Sequence, residues 1–383
     1  MEPTRRPADG AVLVLDAGSS SLHLTVYRPD GTVAARHDTD RPPGPETADE
    51  LRALLARSPA VTAAGHRIVH GGPQLHAHTR VDDRVRAELA EAADLAPLHL
   101  PPALAVLDTA RRLLPDIPHV ACFDTVFHTG LPPAAREYAV PETWRARYGV
   151  RRYGFHGLSY SWALARTAEL LGRPAARLRL VMAHLGGGCS ATAVRDGRSV
   201  DTTMGFTPLE GLVMSHRSGT VDPGALTWLQ TRHGLTAAEL DDALNLRSGL
   251  LALSGTSDDT RDLVRARTAG DPRAALALDV FTHHCRRGIA AVAASLDRLD
   301  ALVFTGEIGE DQPEVREEVC AGLPLLGLRG GLAVPSPDTL LRTAAVAVSA
   351  AGAAVPVVVV PTGETRQVAA ETRAVLRRQA APA

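Results

Sequence analysis

Val12-Leu-Val-Leu-Asp16-Ala-Gly18-Ser-Ser-Ser21-Leu-His-Leu-Thr-Val-Tyr27, closed by Pro29-Asp30-Gly31, is echoed half a chain later by Leu178-Arg-Leu-Val-Met-Ala-His184-Leu-Gly186-Gly-Gly188-Cys-Ser-Ala-Thr-Ala-Val194, closed by Asp196-Gly197. Each stretch reads as an apolar strand, a loop of small residues, a second strand and an Asp-Gly turn signal. Loops without bulky side chains let backbone N–H groups approach an anion closely. Two such hairpins predict two related lobes gripping one polyphosphate, which points to phosphoryl transfer or to an ATP-driven switch.

With 383 residues the chain has room for two domains, each with a sizeable core. Its 45% apolar and 22% charged residues place it among soluble globular proteins. A formal net charge of -2 gives no global attraction to nucleic acid or to an anionic membrane. All 41 basic residues are arginine. A Walker A loop and a Schiff-base enzyme both require lysine, so both classes are excluded. Fixed positive charge must come from the planar guanidinium, which suits carboxylates and phosphates. Cys122, Cys189, Cys285 and Cys320 show no CxxC spacing and read as reduced thiols of a cytoplasmic protein. The first ten residues are polar and carry no secretory leader pattern. The apolar run Ala344–Val360, interrupted by Gly352 and Pro356, reads as a core helix followed by a strand rather than as a membrane span.

Strands alternating with helices argue an α/β class. Beyond the hairpins, strands are expected at 64–70, 119–123, 302–305 and 355–360. Helices are expected near 48–57, 82–94, 104–114, 159–171, 225–233, 237–246, 257–268 and 272–296, and after Glu364 to about 379. The composition shift near Tyr148–Gly157 sets the expected division: 1–147 plus 366–383 for the N-terminal lobe, and 148–365 for the C-terminal lobe with the nucleotide site.

Arginine and histidine gather in three glycine-flanked segments: Gly65-His66-Arg67-Ile-Val-His70-Gly71-Gly72, Arg151-Arg152-Tyr153-Gly154-Phe155-His156-Gly157 and His216-Arg217-Ser218-Gly219. One such arginine alone reads as a surface residue; three alike favour tight loops aimed at a ligand. Asp124 ends an apolar strand, where open α/β folds bind ligands, and suits holding Mg²⁺ or orienting a nucleophile; the plainer reading is a helix N-cap. Other motifs fail on context. Gly186-x-Gly188-x-x-Ala191 lacks the helix a dinucleotide fingerprint needs. His184-Leu-Gly-Gly-Gly resembles an esterase oxyanion loop, but no G-x-S-x-G elbow accompanies it. His66 and His70 lie too far apart along a strand to share a zinc ion.

Taken together these segments resemble the acetate kinase family, part of the superfamily of actin, sugar kinases and heat-shock chaperone ATPases. The resemblance is carried by Gly-His-Arg-Ile-Val-His-Gly-Gly (65–72), Leu-Ala-Pro-Leu-His (95–99), Phe-Asp-Thr-Val-Phe-His (123–128), Arg-Arg-Tyr-Gly-Phe-His-Gly (151–157) and Asp-Thr-Thr-Met-Gly-Phe-Thr-Pro-Leu-Glu-Gly-Leu (201–212). It implies a two-lobed, actin-like ATPase fold, a duplicated ribonuclease H-like unit with a central cleft. It also implies reversible, direct in-line transfer of the γ-phosphoryl group of ATP to acetate or a similar short-chain carboxylate, giving an acyl phosphate and ADP, with Mg²⁺ (or Mn²⁺) as cofactor and a cytoplasmic homodimer as the working form. The resemblance assigns Arg67, Arg217, His156 and Asp124 to catalysis, and Asp16 and Glu364 to the metal. Ser19, Ser21, His23, His184, Gly186, Gly187, Gly188, Asp259, Thr260, Arg261, Glu307, Ile308, Gly309, Glu310 and Asp311 fall on nucleotide-binding segments. Val69, Leu98, Phe155 and Pro208 match the pocket for the acid's methyl group.

The chain departs from the family pattern mainly on the donor side. Asp16 stands for Asn, His23 for Lys, Gly187 for Asn, Glu307 for a Gly beside the adenosine, and Gly363 for a polar residue. Leu100-Pro-Pro-Ala103 also replaces a stretch with Asn at both outer positions. Two alternatives therefore stay open beside ATP-dependent acetate phosphorylation: a carboxylate kinase with another donor, such as pyrophosphate, or with a non-acetate acceptor. A non-catalytic, actin-like nucleotide switch is a third reading, in which Arg67, Arg217 and the methyl pocket have no use.

Overall fold

The computed structural model describes residues 7–18 and 21–380. Among the described residues twelve strands form two sheets. The first holds β1 (Ala11–Ala17), β2 (Leu22–Tyr27), β3 (Val33–Thr39), β4 (Val61–Ile68), β5 (Thr79–Arg80) and β6 (His119–Phe123), in the order β3-β2-β1-β4-β6-β5. The second holds β7 (Arg179–Leu185), β8 (Cys189–Arg195), β9 (Arg198–Thr202), β10 (Ala301–Thr305), β11 (Val346–Ala347) and β12 (Val357–Val359), in the order β11-β12-β10-β7-β8-β9. Read from β3 and from β9, the two sheets are the same. Each has a three-stranded antiparallel meander, then two parallel additions, then a short antiparallel edge strand.

Period-two alternation explains why the first sheet is covered on both faces. Leu13 and Leu15 of β1 point to one side, with Leu24 and Val26 of β2, and meet Leu51, Leu54, Leu104 and Leu107 from the helices Thr47–Ala56 and Leu100–Leu113. Val12 and Val14 point to the other side, with Val120 and Cys122, and meet Val368, Ala369 and Val375 of the helix Glu364–Ala380. Each fully buried Leu or Val is worth about 1.5–3 kcal/mol relative to exposure. The last helix packs directly on β4 because Gly65 has no side chain: a Cβ there would collide with the Thr372 hydroxyl and crowd Val368. This contact delivers Glu364 to the ends of the parallel strands.

The chain forms two compact units: 1–129 with 155–158 and 363–383, and 130–154 with 159–362. The sequence-based division, 1–147 plus 366–383 against 148–365, differs most over 130–147. That segment groups with the second unit because Arg152 N donates to Arg136 O at 2.8 Å and Tyr138 bonds to Glu210. A second correction concerns Ala344–Val360. Its first half is not a helix: Val346–Ala347 pairs antiparallel with β12, and Gly352 sits at φ 78° in the connecting turn. A short helix, Gly249–Ser254, was not expected. Among the described residues no helix is long and apolar enough to cross a membrane.

Two histidines are buried against one another at the start of β6. His119 Nε2 lies 3.0 Å from the Leu114 carbonyl, which can only accept, so Nε2 carries the proton. His119 Nδ1 then accepts from His66 Nε2 at 3.0 Å. Both rings are neutral in this arrangement. Burial drives His66 well below its ordinary value, because a proton there would sit desolvated and beside His119 and Arg111; burial also lowers His119. The folded state therefore binds fewer protons than the unfolded chain. The stability from this pair is full above the ordinary histidine range, about 6.5, and is lost as pH falls below it. Urea midpoints measured between pH 7.5 and 5.5 are expected to drop, and to drop less steeply in His66→Asn, which cannot charge.

Candidate active site

In the first unit the site is built around one guanidinium. Arg67 projects from β4, and Asp124 follows β6 directly, held in register by Asp124 N donating to Ile68 O at 3.1 Å. Arg67 meets Asp124 with both prongs of its fork, Nη2 to Oδ2 at 2.9 Å and Nε to Oδ1 at 3.4 Å. Its Nη1 faces Asp16 Oδ1 of β1 at 3.2 Å and Glu364 Oε2, at the start of the last helix, at 3.4 Å. Three carboxylates around one cation leave the cluster at −2 when all are ionised. Asp124 is only 1% exposed. Burial pushes its carboxyl up, Arg67 pulls it back, and the charge of Asp16 adds to the rise, leaving it above the usual carboxylate range. Burial also opposes the charge on Arg67, but Asp124, Asp16 and Glu364 together overcome it and hold the guanidinium firmly protonated.

The cluster's excess negative charge bears on a metal. Asp16 and Glu364 offer hard oxygen donors on the same side of Arg67, the chemistry that Mg²⁺ or Mn²⁺ takes while keeping several waters. Two carboxylates completed by water and phosphate oxygens suit such an ion, although among the described residues no group of three His, Cys, Asp or Glu ligands gathers.

His156 is tied to this cluster through its neighbour Gly157, and its backbone is strained. Its φ of 59° lies in the left-handed region, which costs a non-glycine residue about 1–2 kcal/mol. The next residue explains the constraint. Gly157 N donates to Asp124 O at 2.8 Å, and a Cβ on Gly157 would overlap that carbonyl and Phe127. The loop is pinned further by His128 Nε2 against Phe155 O at 2.9 Å and by the His70 ring edge-on to Phe155, with centroids 5.4 Å apart. Phe155 is buried, Val69 packs on the core, and Leu98 is half-buried.

The second unit carries a loop-lined site. Gly186, Gly187, Ser215, Asp258, Asp259, Thr260, Arg261, Glu307, Ile308, Asp311 and Gln312 line one cavity of about 500 Å³. The glycine loop closes with Gly186 N donating to Gly188 O at 3.1 Å, as Gly18 N donates to Ser21 O at 2.9 Å in the first hairpin. Open space faces Gly187. Asp259 caps the helix Thr260–Thr268 by accepting from Arg261 N at 2.8 Å, and its carboxylate grips the Arg261 side chain, Oδ2 to Nη2 at 2.7 Å. That hydrogen bonding holds Asp259 below its usual value. Gly306 takes φ 83° against the Leu185 carbonyl and turns the chain into the short helix Glu307–Asp311.

The remaining expected residues divide as follows. Glu310 does not line the cavity; Thr362 donates to it through N at 2.8 Å and through its hydroxyl at 2.9 Å, and burial raises its carboxyl. Gly309 lies buried, its carbonyl accepting from Arg316 at 2.9 Å. His184 is buried against Ser159, Nδ1 to Oγ 2.9 Å. His23 Nδ1 lies 2.9 Å from Asp38 on the neighbouring strand β3. Arg217 is half-buried and donates through Nη1 to Pro208 O at 2.9 Å; burial lowers its pKa. Ser19 lies outside the described residues, and Ser21 opens β2's side of its loop. The first unit thus brings together Asp16, Arg67, Asp124 and Glu364, and the second gathers Gly186, Gly187, Asp259–Arg261, Glu307, Ile308 and Asp311. Sequence reasoning missed Ser215, Asp258 and Gln312 in the cavity wall. Asp258 and Ser215 adjoin residues already singled out, so adjacency was the available signal.

The Acetokinase family model matches residues 47–370. An acetate kinase of Desulfitobacterium hafniense is 40% identical over 375 residues, spanning 98% of this chain and 90% of that protein. The crystal structure of Porphyromonas gingivalis acetate kinase has a TM-score of 0.84 and 34% identity, covering 96% of this chain and 100% of that one. A propionate kinase from Francisella tularensis has a TM-score of 0.85 and 29% identity, with coverage of 96% and 100%. Together with the repeated sheet order, these likenesses give the chain a two-domain, actin-like ATPase fold of the α/β class.

Gly157→Ala forces the Asp124 carbonyl and the His156 loop apart. Because a displacement near 1 Å at such a centre costs about 10²-fold, turnover is expected to fall by about that factor. Circular dichroism is expected to stay native, which separates misplacement from unfolding.

Proposed function

The chain belongs to the acetokinase family, and from that premise we propose that it transfers the γ-phosphoryl group of ATP to acetate or a similar short carboxylate, reversibly and by direct in-line displacement, releasing ADP and an acyl phosphate. The observation that carries this reading is Arg67 held among Asp16, Asp124 and Glu364. A carboxylate acceptor is already ionised at pH 7, so the reaction needs no general base. The barrier is the repulsion between two anions, and catalysis reduces to placement and charge neutralisation.

Each residue then has a separate task. Arg67 and Arg217 clamp the acceptor carboxylate and the moving phosphoryl group. Asp124 has no proton to take; it orients Arg67 through the two-pronged contact. His156, held in a strained loop, donates to the equatorial phosphoryl oxygens. Asp16 and Glu364 would hold Mg²⁺ (or Mn²⁺), which supplies charge neutralisation at the phosphates. The glycine loop with Ser21, His23 and His184, and the cavity-lining residues Asp259–Arg261, Glu307, Ile308 and Asp311, serve the nucleotide. Val69, Leu98, Phe155 and Pro208 are the apolar residues assigned to the acid's methyl group. One methylene is worth about 1–3 kcal/mol in such a pocket, so these residues do not choose between acetate and propionate.

A second reading has one observation in its favour. Glu307 lines the cavity wall where the family pattern has glycine, and it adds an acid beside Asp258, Asp259 and Asp311. A smaller donor such as pyrophosphate avoids that wall. Trapping the acyl phosphate with hydroxylamine tests both. Acetate with ATP is expected to give hydroxamate, and Arg217→Ala is expected to lower the rate by about 10³ or more. Hydroxamate formed with pyrophosphate but not with ATP would favour the second reading. ATP binding with no hydroxamate from any short acid would sink the kinase assignment and leave a nucleotide switch.

The partner we propose is a second copy of the chain, in the cytoplasm. The helix Pro223–His233 has no buried residue, and it leaves Trp228 53% exposed; Leu246 of the helix Ala237–Leu246 is 47% exposed. An isolated helix of this length is marginal in water without a packed face. The four cysteines are all buried and unbridged, as suits a reducing compartment. With a net charge of -2, neither nucleic acid nor a membrane is proposed as a partner. Trp228→Glu is expected to halve the mass seen by sedimentation; an unchanged mass would remove this helix from the interface.

A further inference from the structure

We propose that Tyr138, Glu210 and Arg152 are positioning residues for Arg217, fixing the 203–211 loop whose Pro208 carbonyl holds that guanidinium. The inference rests on the reading of Arg217 as a clamp on the acceptor and the phosphoryl group. Arg217 Nη1 donates to Pro208 O at 2.9 Å, with the Met214 sulfur at 3.8 Å. A shift of Pro208 therefore displaces an acceptor of the guanidinium, and Pro208 follows its loop.

That loop is strapped at several points from outside its own sequence. Arg152 Nη1 donates to Thr203 O at 3.1 Å and to Met204 O at 3.0 Å, while its Nη2 donates to Glu210 Oε1 at 3.0 Å. One planar side chain thus ties the start of the loop to its end, a geometry an ammonium would not reproduce. The Tyr138 hydroxyl donates to Glu210 Oε2 and accepts from Phe206 N at 3.0 Å. Arg152 also stacks over the Tyr138 ring, 5.3 Å from its centroid. Gly205 makes the arrangement possible, because a Cβ there would overlap both the Glu210 carboxylate and the Tyr138 hydroxyl. Tyr153 N donates to Gly205 O at 2.9 Å and adds a backbone tie.

The far side of Arg217 is fixed independently. Met214 N donates to Arg217 O at 3.1 Å, and Thr220 N donates to Gly211 O at 3.0 Å, with Gly219 at φ 69° tucked against the carbonyls of Gly211 and Leu212. The turn that carries Arg217 is therefore anchored, and what the Tyr138–Glu210–Arg152 set adds is the place of the Pro208 carbonyl. None of the three lines the cavity walled by Gly186, Asp259 and Glu307. Their loss is predicted to act on the acceptor and not on the donor.

The test uses the full chain and two variants, Tyr138→Phe and Glu210→Gln, so that failure of one to fold does not end it. Hydroxamate kinetics give kcat and KM for acetate, and equilibrium binding of ATP gives the donor Kd. Removing one hydrogen bond in such a network is expected to lower kcat/KM for acetate by about tenfold, with the ATP Kd changed by less than about twofold. Parallel loss for acetate and ATP, or no change in either variant while Arg217→Ala abolishes turnover, overturns the proposal. Normal acetate kinetics in Arg217→Ala overturns the clamp reading, and this proposal with it.

Discussion

The first unit depends on Arg67 being surrounded by acids that come from three different places in the chain. Asp16 arrives on β1, Asp124 from the end of β6, and Glu364 from the first turn of the last helix. Their meeting requires β1, β4 and β6 to run parallel and adjacent, since parallel strands put their C-terminal ends at one edge of the sheet. It also requires the last helix to lie flat on β4, which Gly65 permits. The core and the charged cluster are thus two outcomes of one packing arrangement. A change that lifts the helix withdraws Glu364, and a change that removes Arg67 leaves three acids facing one another.

The repetition of the sheet shows how one scaffold serves two kinds of chemistry. Asp124 N bonds to Ile68 O after β6, and Val360 N bonds to Phe304 O at 2.9 Å after β12. Asp16 and His184 each stand one residue before the end of their strand, paired with His23 and Ser190 across the hairpin. The places are the same but the residues differ. The first copy puts charge at these positions. The second puts there a histidine and an apolar residue, and relies on a bare glycine loop. Backbone hydrogen bonding preserves the architecture while side chains at the strand ends are free to change task.

The hairpins were legible because glycine loops and Asp-Gly turns are local signals, confirmed by Asp196 at φ 56° and Gly197 at φ 76°. Asp124 was legible because an apolar strand ended on a carboxylate. The arginine-to-acid cluster was only partly so: the residues could be named, but their convergence depends on strand order, which periodicity does not encode. Ala344–Val360 misled because an alanine-rich run favours a helix locally, whereas pairing with β12 decides the outcome. Tyr138 was invisible because its partner Glu210 lies 72 residues away. No local pattern marks a bond of that span.

A chain whose cations are all guanidinium groups also has a chemical consequence for its own survival. An acyl phosphate is a mixed anhydride, and it transfers its acyl group readily to a free amine. A lysine ionises near 10.4 and always offers a small fraction of nucleophilic amine, whereas arginine stays protonated beyond about 12. With no ε-amine anywhere in its sequence, this protein presents its reactive product with side-chain charges that cannot be consumed by it. Arg67, locked among acids, is the extreme case: a cation held so firmly protonated that it offers no nucleophilic lone pair.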